Sequence, residues 1–152
     1  MFTRPTPSEL LEAVTSLLRD LRDHPENASS APLEVALEVT GVIERRIENE
    51  PRWLAAGITE IEALSTAALA AHPDDPDLRQ ALRHYQEAGA TGLEAADVLS
   101  QYDSAGALLA AVSDASYHHA DAALIDQVFA VHARRFERLS EAIGSYEAAG
   151  RT

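Results

Sequence analysis

The chain reads as an all-α protein: a six-helix bundle closed by a long C-terminal antiparallel helical hairpin. Three observations predict this. The apolar residues are mostly Ala and Leu, with only 5% aromatics, and these two are the strongest helix formers. Apolar positions recur at steps of three and four along the chain, and no alternating strand pattern competes. The breaks fall at Pro, Asn, Asp and Gly clusters that carry helix-start signals.

Each element follows from those signals. Thr6, Pro7 and Glu9 form a capping box with proline at the first helical position. Leu10, Leu11, Val14, Leu17, Leu18 and Leu21 then define a helix from about Pro7 to Arg22. Pro32 opens a second helix on Leu33, Ala36, Leu37, Val39, Ile43 and Ile47, with Arg45 and Arg46 near its C-terminal end, where cations favour the dipole. Asn49-Glu50-Pro51 breaks it. A third runs from Pro51 to Ala71 on Leu54, Ile58, Ile61, Leu64 and Ala68. Asp75 caps a fourth, with Pro76 at N1; Leu78, Leu82 and Tyr85 form its stripe and Gly89 stops it.

Thr91 and Glu94 form a second capping box for a fifth helix, from about Gly92 to Ser116 on Ala95, Leu99, Tyr102, Gly106 and Leu109. Asp103-Ser104 and Gly106 leave open a break in two. Asp121 caps the last helix, Ala122 to Ala148. Its seam of Ile125, Phe129, His132, Phe136, Leu139, Ile143 and Tyr146 is heptad-like, and Leu124, Val128 and Val131 widen it on one side. The hairpin turns at His118-His119-Ala120-Asp121.

At 152 residues the chain fits a single helical domain, residues 1–152. All twelve basic side chains are arginine, and there is no cysteine. This excludes a Schiff-base lysine, a P-loop lysine and a thiolate nucleophile. It equally excludes sulfur-ligated zinc, iron–sulfur clusters and disulfides. A net charge of −13 opposes binding to nucleic acid and to anionic membranes. The N-terminus has no run of signal-peptide length. The longest unbroken small-apolar stretch, Ala105 to Val112, is far short of the ~20 residues that span a bilayer. The expectation is a soluble cytoplasmic protein without a cofactor.

The candidate sites are few. His132 lies on the apolar seam between Phe129 and Phe136, where its ring must find a partner or act as a pH-sensitive contact or base. Tyr102 or Asp103 on the facing helix is the expected partner. Arg134, Arg135 and Arg138 follow it, and forked guanidinium groups suit a carboxylate or phosphate. Arg79 and Arg83 share a helix face. His118, His119 and Asp121 at the turn are a partial metal-ligand set, but the chain holds no Glu-x-x-His or His-Glu-x-x-His pattern. Paired carboxylates such as Glu34 with Glu38 arise by chance among 25 acidic residues. Neither a nucleophile elbow nor a phosphate-cradling glycine loop occurs.

The segment Arg4-Pro5-Thr6-Pro7-Ser8-Glu9-Leu10-Leu11-Glu12-Ala13-Val14, with the later Val42-Ile43-Glu44-Arg45-Arg46-Ile47-Glu48, resembles a bacterial family of helical proteins of unknown function. That family is often encoded beside aminoglycoside-phosphotransferase-like kinases and acyl-CoA dehydrogenases. The resemblance covers residues 4 to 90 and departs from the pattern around Leu33 to Thr40, which lacks the family's His, Arg and Asn. It implies an all-helical accessory protein and supplies no catalytic residues.

Two functions therefore compete. The first is a non-catalytic helical accessory protein that acts as a homodimer through Ile125, Phe129, Phe136, Leu139 and Ile143 and contacts a metabolic enzyme. The alternative is a small-molecule-binding bundle, open to enzymatic chemistry, with a pocket near His132 lined by Tyr102, Arg134, Arg135 and Arg138.

Overall fold

Thr6 and Glu9 start the first helix reciprocally. The Thr6 hydroxyl accepts from the Glu9 amide at 3.2 Å, and the Glu9 carboxylate accepts from the Thr6 amide at 2.6 Å. The computed structural model describes residues 5–25, 30–89 and 95–143. Its elements are α1 (Pro7–Asp23), α2 (Ser30–Ala71), α3 (Pro76–Ala88), α4 (Ala95–His118) and α5 (Ala122–Ile143). The described residues hold five helices and no strand. The Thr91–Glu94 capping box and the expected end of the last helix, residues 144–148, lie outside the described residues.

The expected six helices become five because Pro51 does not break the chain; it sits inside α2. Proline removes one helical donor and crowds the carbonyl four residues back. Here that carbonyl belongs to Ile47, an exposed residue. The turn before Pro51 is also held by side chains. Asn49 donates to the Arg45 carbonyl at 2.9 Å, and Arg46 grips Glu50 through two nitrogens at 2.6 and 3.1 Å. In α4, Gly106 and Asp103-Ser104 likewise interrupt nothing.

The chain divides into two compact units, one spanning Pro51–Arg138 and the other joining Phe2–Glu50 to Leu139–Thr152. In the second unit Val14, Ala36 and Ile43 are buried, with Leu10, Leu17 and Val39 packed against them. The expected stripe of this part of α2 is rotated. Leu33, Leu37 and Ile47 are exposed, and Arg46 takes the buried position next in register after Ile43. A buried guanidinium needs partners. Arg46 finds them in Glu50 and in the Pro5 carbonyl, so it is an anchor for the chain entering α1 rather than a dipole-complementing surface cation.

The Pro51–Arg138 unit holds the larger core. Leu54, Ile58, Ile61, Leu64 and Ala68 of α2 are buried as their spacing predicts, with Leu78 and Tyr85 of α3. Tyr102, Ala105, Leu108, Leu109, Val112 and Ala115 come from α4, and Leu124, Val128 and Val131 from α5. Ile61, Leu78, Leu108, Leu109 and Val112 are under 2% exposed. Each such side chain contributes about 1.5–3 kcal/mol relative to exposure.

Gly57 is where α2 admits Tyr102. A β-carbon at Gly57 would lie 3.0 Å from Tyr102 Cε2, tighter than nearly all such contacts, and Tyr102 is itself held by Arg135. Gly57→Ala is therefore expected to cost about 1–3 kcal/mol through overpacking, despite the higher helix propensity of alanine; urea denaturation measures it. Gly106 is the opposite case, because nothing lies within 4 Å of its added β-carbon. Gly106→Ala should raise stability by about 0.5–1 kcal/mol in the same assay.

By length and composition one described helix, α2, is apolar enough to cross a bilayer. Glu60 and Glu62 interrupt its apolar sequence, so it holds no unbroken apolar run of spanning length. Its C-terminal half supplies the core residues named above, and core helices pass the same test.

Candidate functional site

The residues expected to line a pocket divide into two groups. Tyr102 is buried on α4, and its hydroxyl accepts from Arg135 Nε of α5 at 2.9 Å. The Arg135 guanidinium carbon lies 5.0 Å from the centre of the Tyr102 ring, within the range of a cation–π contact. Arg134 and Arg138 both turn to Glu60 of α2. Arg134 Nε is 3.3 Å from Oε2, and Arg138 donates to both carboxylate oxygens. Burial alone would raise the Glu60 pKa, but hydrogen bonds and charge from Arg138 and Arg134 outweigh it and hold the carboxyl below its ordinary value. Three arginines at this spacing thus meet acceptors from the chain itself.

His132 is not among them. It is exposed, and its expected partner Tyr102 is taken by Arg135. The reason is register: the face of α5 packed in the core is Leu124, Val128 and Val131, the residues read as the seam's widening edge. The seam itself points the other way. Phe129 is 60% exposed and Phe136 68%, while Ile125 and Leu139 are half-buried. The Ile143 side chain lies outside the described residues.

A second constellation lies where the α2–α3 and α4–α5 turns meet. Asp75 caps α3, its Oδ1 accepting from the amides of Asp77 and Leu78 at 3.0 and 2.9 Å. Asp121 caps α5 in the same way, accepting from Leu124 at 3.0 Å. Each carboxylate offers its other oxygen to a histidine of the opposite turn. Asp75 Oδ2 lies 2.9 Å from His119 Nε2, and Asp121 Oδ2 lies 3.0 Å from His72 Nε2. The two pairs cross, so the imidazoles of His72 and His119 stack, with centres 4.2 Å apart and planes 7° from parallel. His118 meets His119 edge-on at 5.0 Å. Between His119 and Asp121, Ala120 adopts a left-handed φ of 50°. That conformation costs a residue with a β-carbon roughly 1–2 kcal/mol. The amide of Asp121 holds the turn by donating to the Ser116 carbonyl at 3.0 Å.

These turns border a cleft of about 880 Å³ whose acidic lining includes Asp74, Asp77 and Asp114. The partial metal-ligand set of His118, His119 and Asp121 is divided between these pairs. Asp121 takes its histidine from the α2–α3 turn, His119 turns to Asp75, and no group of three or more His, Asp or Glu among the described residues is arranged to hold a metal. The sequence carried a signal for the crossed pairs. Both interhelical turns place a histidine at a helix end and a capping aspartate within three residues.

The backbone bonds from Leu78 and the His119 side chain hold the Asp75 carboxyl below its ordinary 3.8. Leu124 and His72 do the same for Asp121. A depressed folded-state pKa stabilises above the unfolded value, and that stability is lost as pH falls through the folded one. The acid limb of stability, followed by urea midpoints below about pH 4, should accordingly flatten in Asp75→Asn/Asp121→Asn.

No protein-family profile, curated protein or solved structure matches this chain.

Proposed function

We propose that the chain is a non-catalytic helical accessory protein that works as a homodimer and contacts a metabolic enzyme. The observation that carries this reading is the outward face of α5. Two of the chain's three phenylalanines, Phe129 and Phe136, stand seven residues apart on it, both more than half exposed. Single exposed apolar residues are ordinary, but aromatics aligned on one helix face are the composition of an interface core. A two-fold axis across α5 would pair each ring with a partner copy, and two-fold dimers are the commonest oligomers.

In this reading α4 and α5 form the long C-terminal hairpin. The short link between His118 and Ala122, and the Arg135–Tyr102 bond across the two helices, support it. The arginines at 134, 135 and 138 then serve as internal ties that stiffen α5. This favours the interaction reading over the small-molecule pocket near His132, since the groups such a pocket needs are turned to Glu60 and Tyr102. The resemblance over residues 4 to 90 supplies the partner class, a neighbouring metabolic enzyme.

Native mass spectrometry on protein gently purified from its own cells tests the reading. A doubled mass, alone or with a second polypeptide, supports it. A chain carrying a few hundred extra daltons would favour the pocket instead.

A further inference from the structure

α3 is the most lightly anchored helix of its unit. It buries only Leu78 and Tyr85, with Ala81 and Leu82 half-buried, and it packs on α4. Its polar anchors all involve protons. At its N-terminus stand the crossed pairs of Asp75 with His119 and His72 with Asp121. Towards its C-terminus the Tyr85 hydroxyl donates to Glu62 of α2 at 2.6 Å.

The stacked imidazoles are the unusual element. Two rings 4.2 Å apart can coexist as neutral groups, or as cations while a carboxylate neutralises each. In acid an imidazole carries a proton, and once the carboxylates are protonated as well, two like charges face each other without compensation. The other charged groups at this point are Asp74 and Asp77 on the α3 side and Asp114 and His118 on α4. Asp74 is already paired with Arg79 at 3.0 Å.

We propose that α3 is an acid-released flap: Asp75 and Asp121 neutralise the stacked His72–His119 pair, and protonating these two carboxylates drives α3 off α4. The released state uncovers the apolar face of α4 that Leu78 and Tyr85 shield. This device is independent of self-association through α5.

Amide hydrogen exchange of the full chain against pH, corrected for intrinsic rates, tests it. Residues 76–88 should lose protection at a higher pH than residues 105–116. In Asp75→Asn/Asp121→Asn the caps survive, because asparagine caps as well as aspartate, but the neutralising charge is gone. The opening of 76–88 should then move up in pH, towards the range where imidazoles protonate. In His72→Phe/His119→Phe the stacking is kept without charge, and the separate acid step should vanish. Loss of protection by both segments together in the wild type would overturn the proposal. So would an opening midpoint that stays put or falls in the asparagine variant, or an acid step that persists in the phenylalanine variant.

Discussion

Replacing Tyr102 with alanine is expected to destabilise the Pro51–Arg138 unit by about 3–5 kcal/mol, the range for truncating a buried aromatic. Three contacts are lost together. The ring fills the space that Gly57 leaves on α2, its face carries the Arg135 guanidinium, and its hydroxyl accepts from Arg135 Nε. Tyr102→Phe isolates the last of these. It keeps the ring and removes the acceptor, so about 1 kcal/mol is expected. Urea denaturation of the three proteins measures both steps. A loss below about 1 kcal/mol for the alanine variant would mean that the ring is not a packing element. Tyr102 and Gly57 are in contact, so their effects should not add: Gly57→Ala in the Tyr102→Ala background should lose most of its cost.

Phe136→Glu is expected to dissolve the homodimer while leaving the fold intact. The side chain is 68% exposed in the single chain, so a charge there reaches water. At a two-fold interface the substitution occurs twice. With about 2 kcal/mol or more for each interface anchor, the dimer loses about 4 kcal/mol, close to a thousandfold in Kd. Each copy carries a net charge of −13, which opposes their approach. Added salt should therefore tighten the wild-type dimer, as sedimentation over a salt series reads directly.

Much of the fold was legible because helix signals are local. The Thr6–Glu9 box, the Asp75–Pro76 start and the Asp121 cap all sit where their residue types require. The stripe of Leu54, Ile58, Ile61, Leu64 and Ala68 was legible for the same reason: its spacing matches a single helix face. The misreadings have physical causes. Pro51 reads as a break when the side chains that hold the turn before it are ignored. On α5 two apolar stripes lie side by side, and the aromatic one looks like the core. The structure buries the branched aliphatic stripe of Leu124, Val128 and Val131 instead, and a one-residue choice of face carries His132 from the interior to the surface. On α2 the same kind of choice placed Ile47 inside and Arg46 outside, the reverse of what the ties to Glu50 and Pro5 produce.

The candidate site was legible by residue type and not by partner. Tyr102, Arg134, Arg135 and Arg138 do cluster, but around Glu60 and one another. The crossed pairs of His72 with Asp121 and His119 with Asp75 span 49 and 44 residues, a separation that periodicity cannot bridge.

Sedimentation equilibrium of the wild type beside Phe129→Glu/Phe136→Glu, both at micromolar concentration, tests the central claim most directly. The predicted result is twice the 16.4 kDa chain mass for the wild type and 16.4 kDa for the double variant, with unchanged helical circular dichroism. A wild type at 16.4 kDa, or a double variant that keeps the doubled mass, would contradict assembly through the outward face of α5.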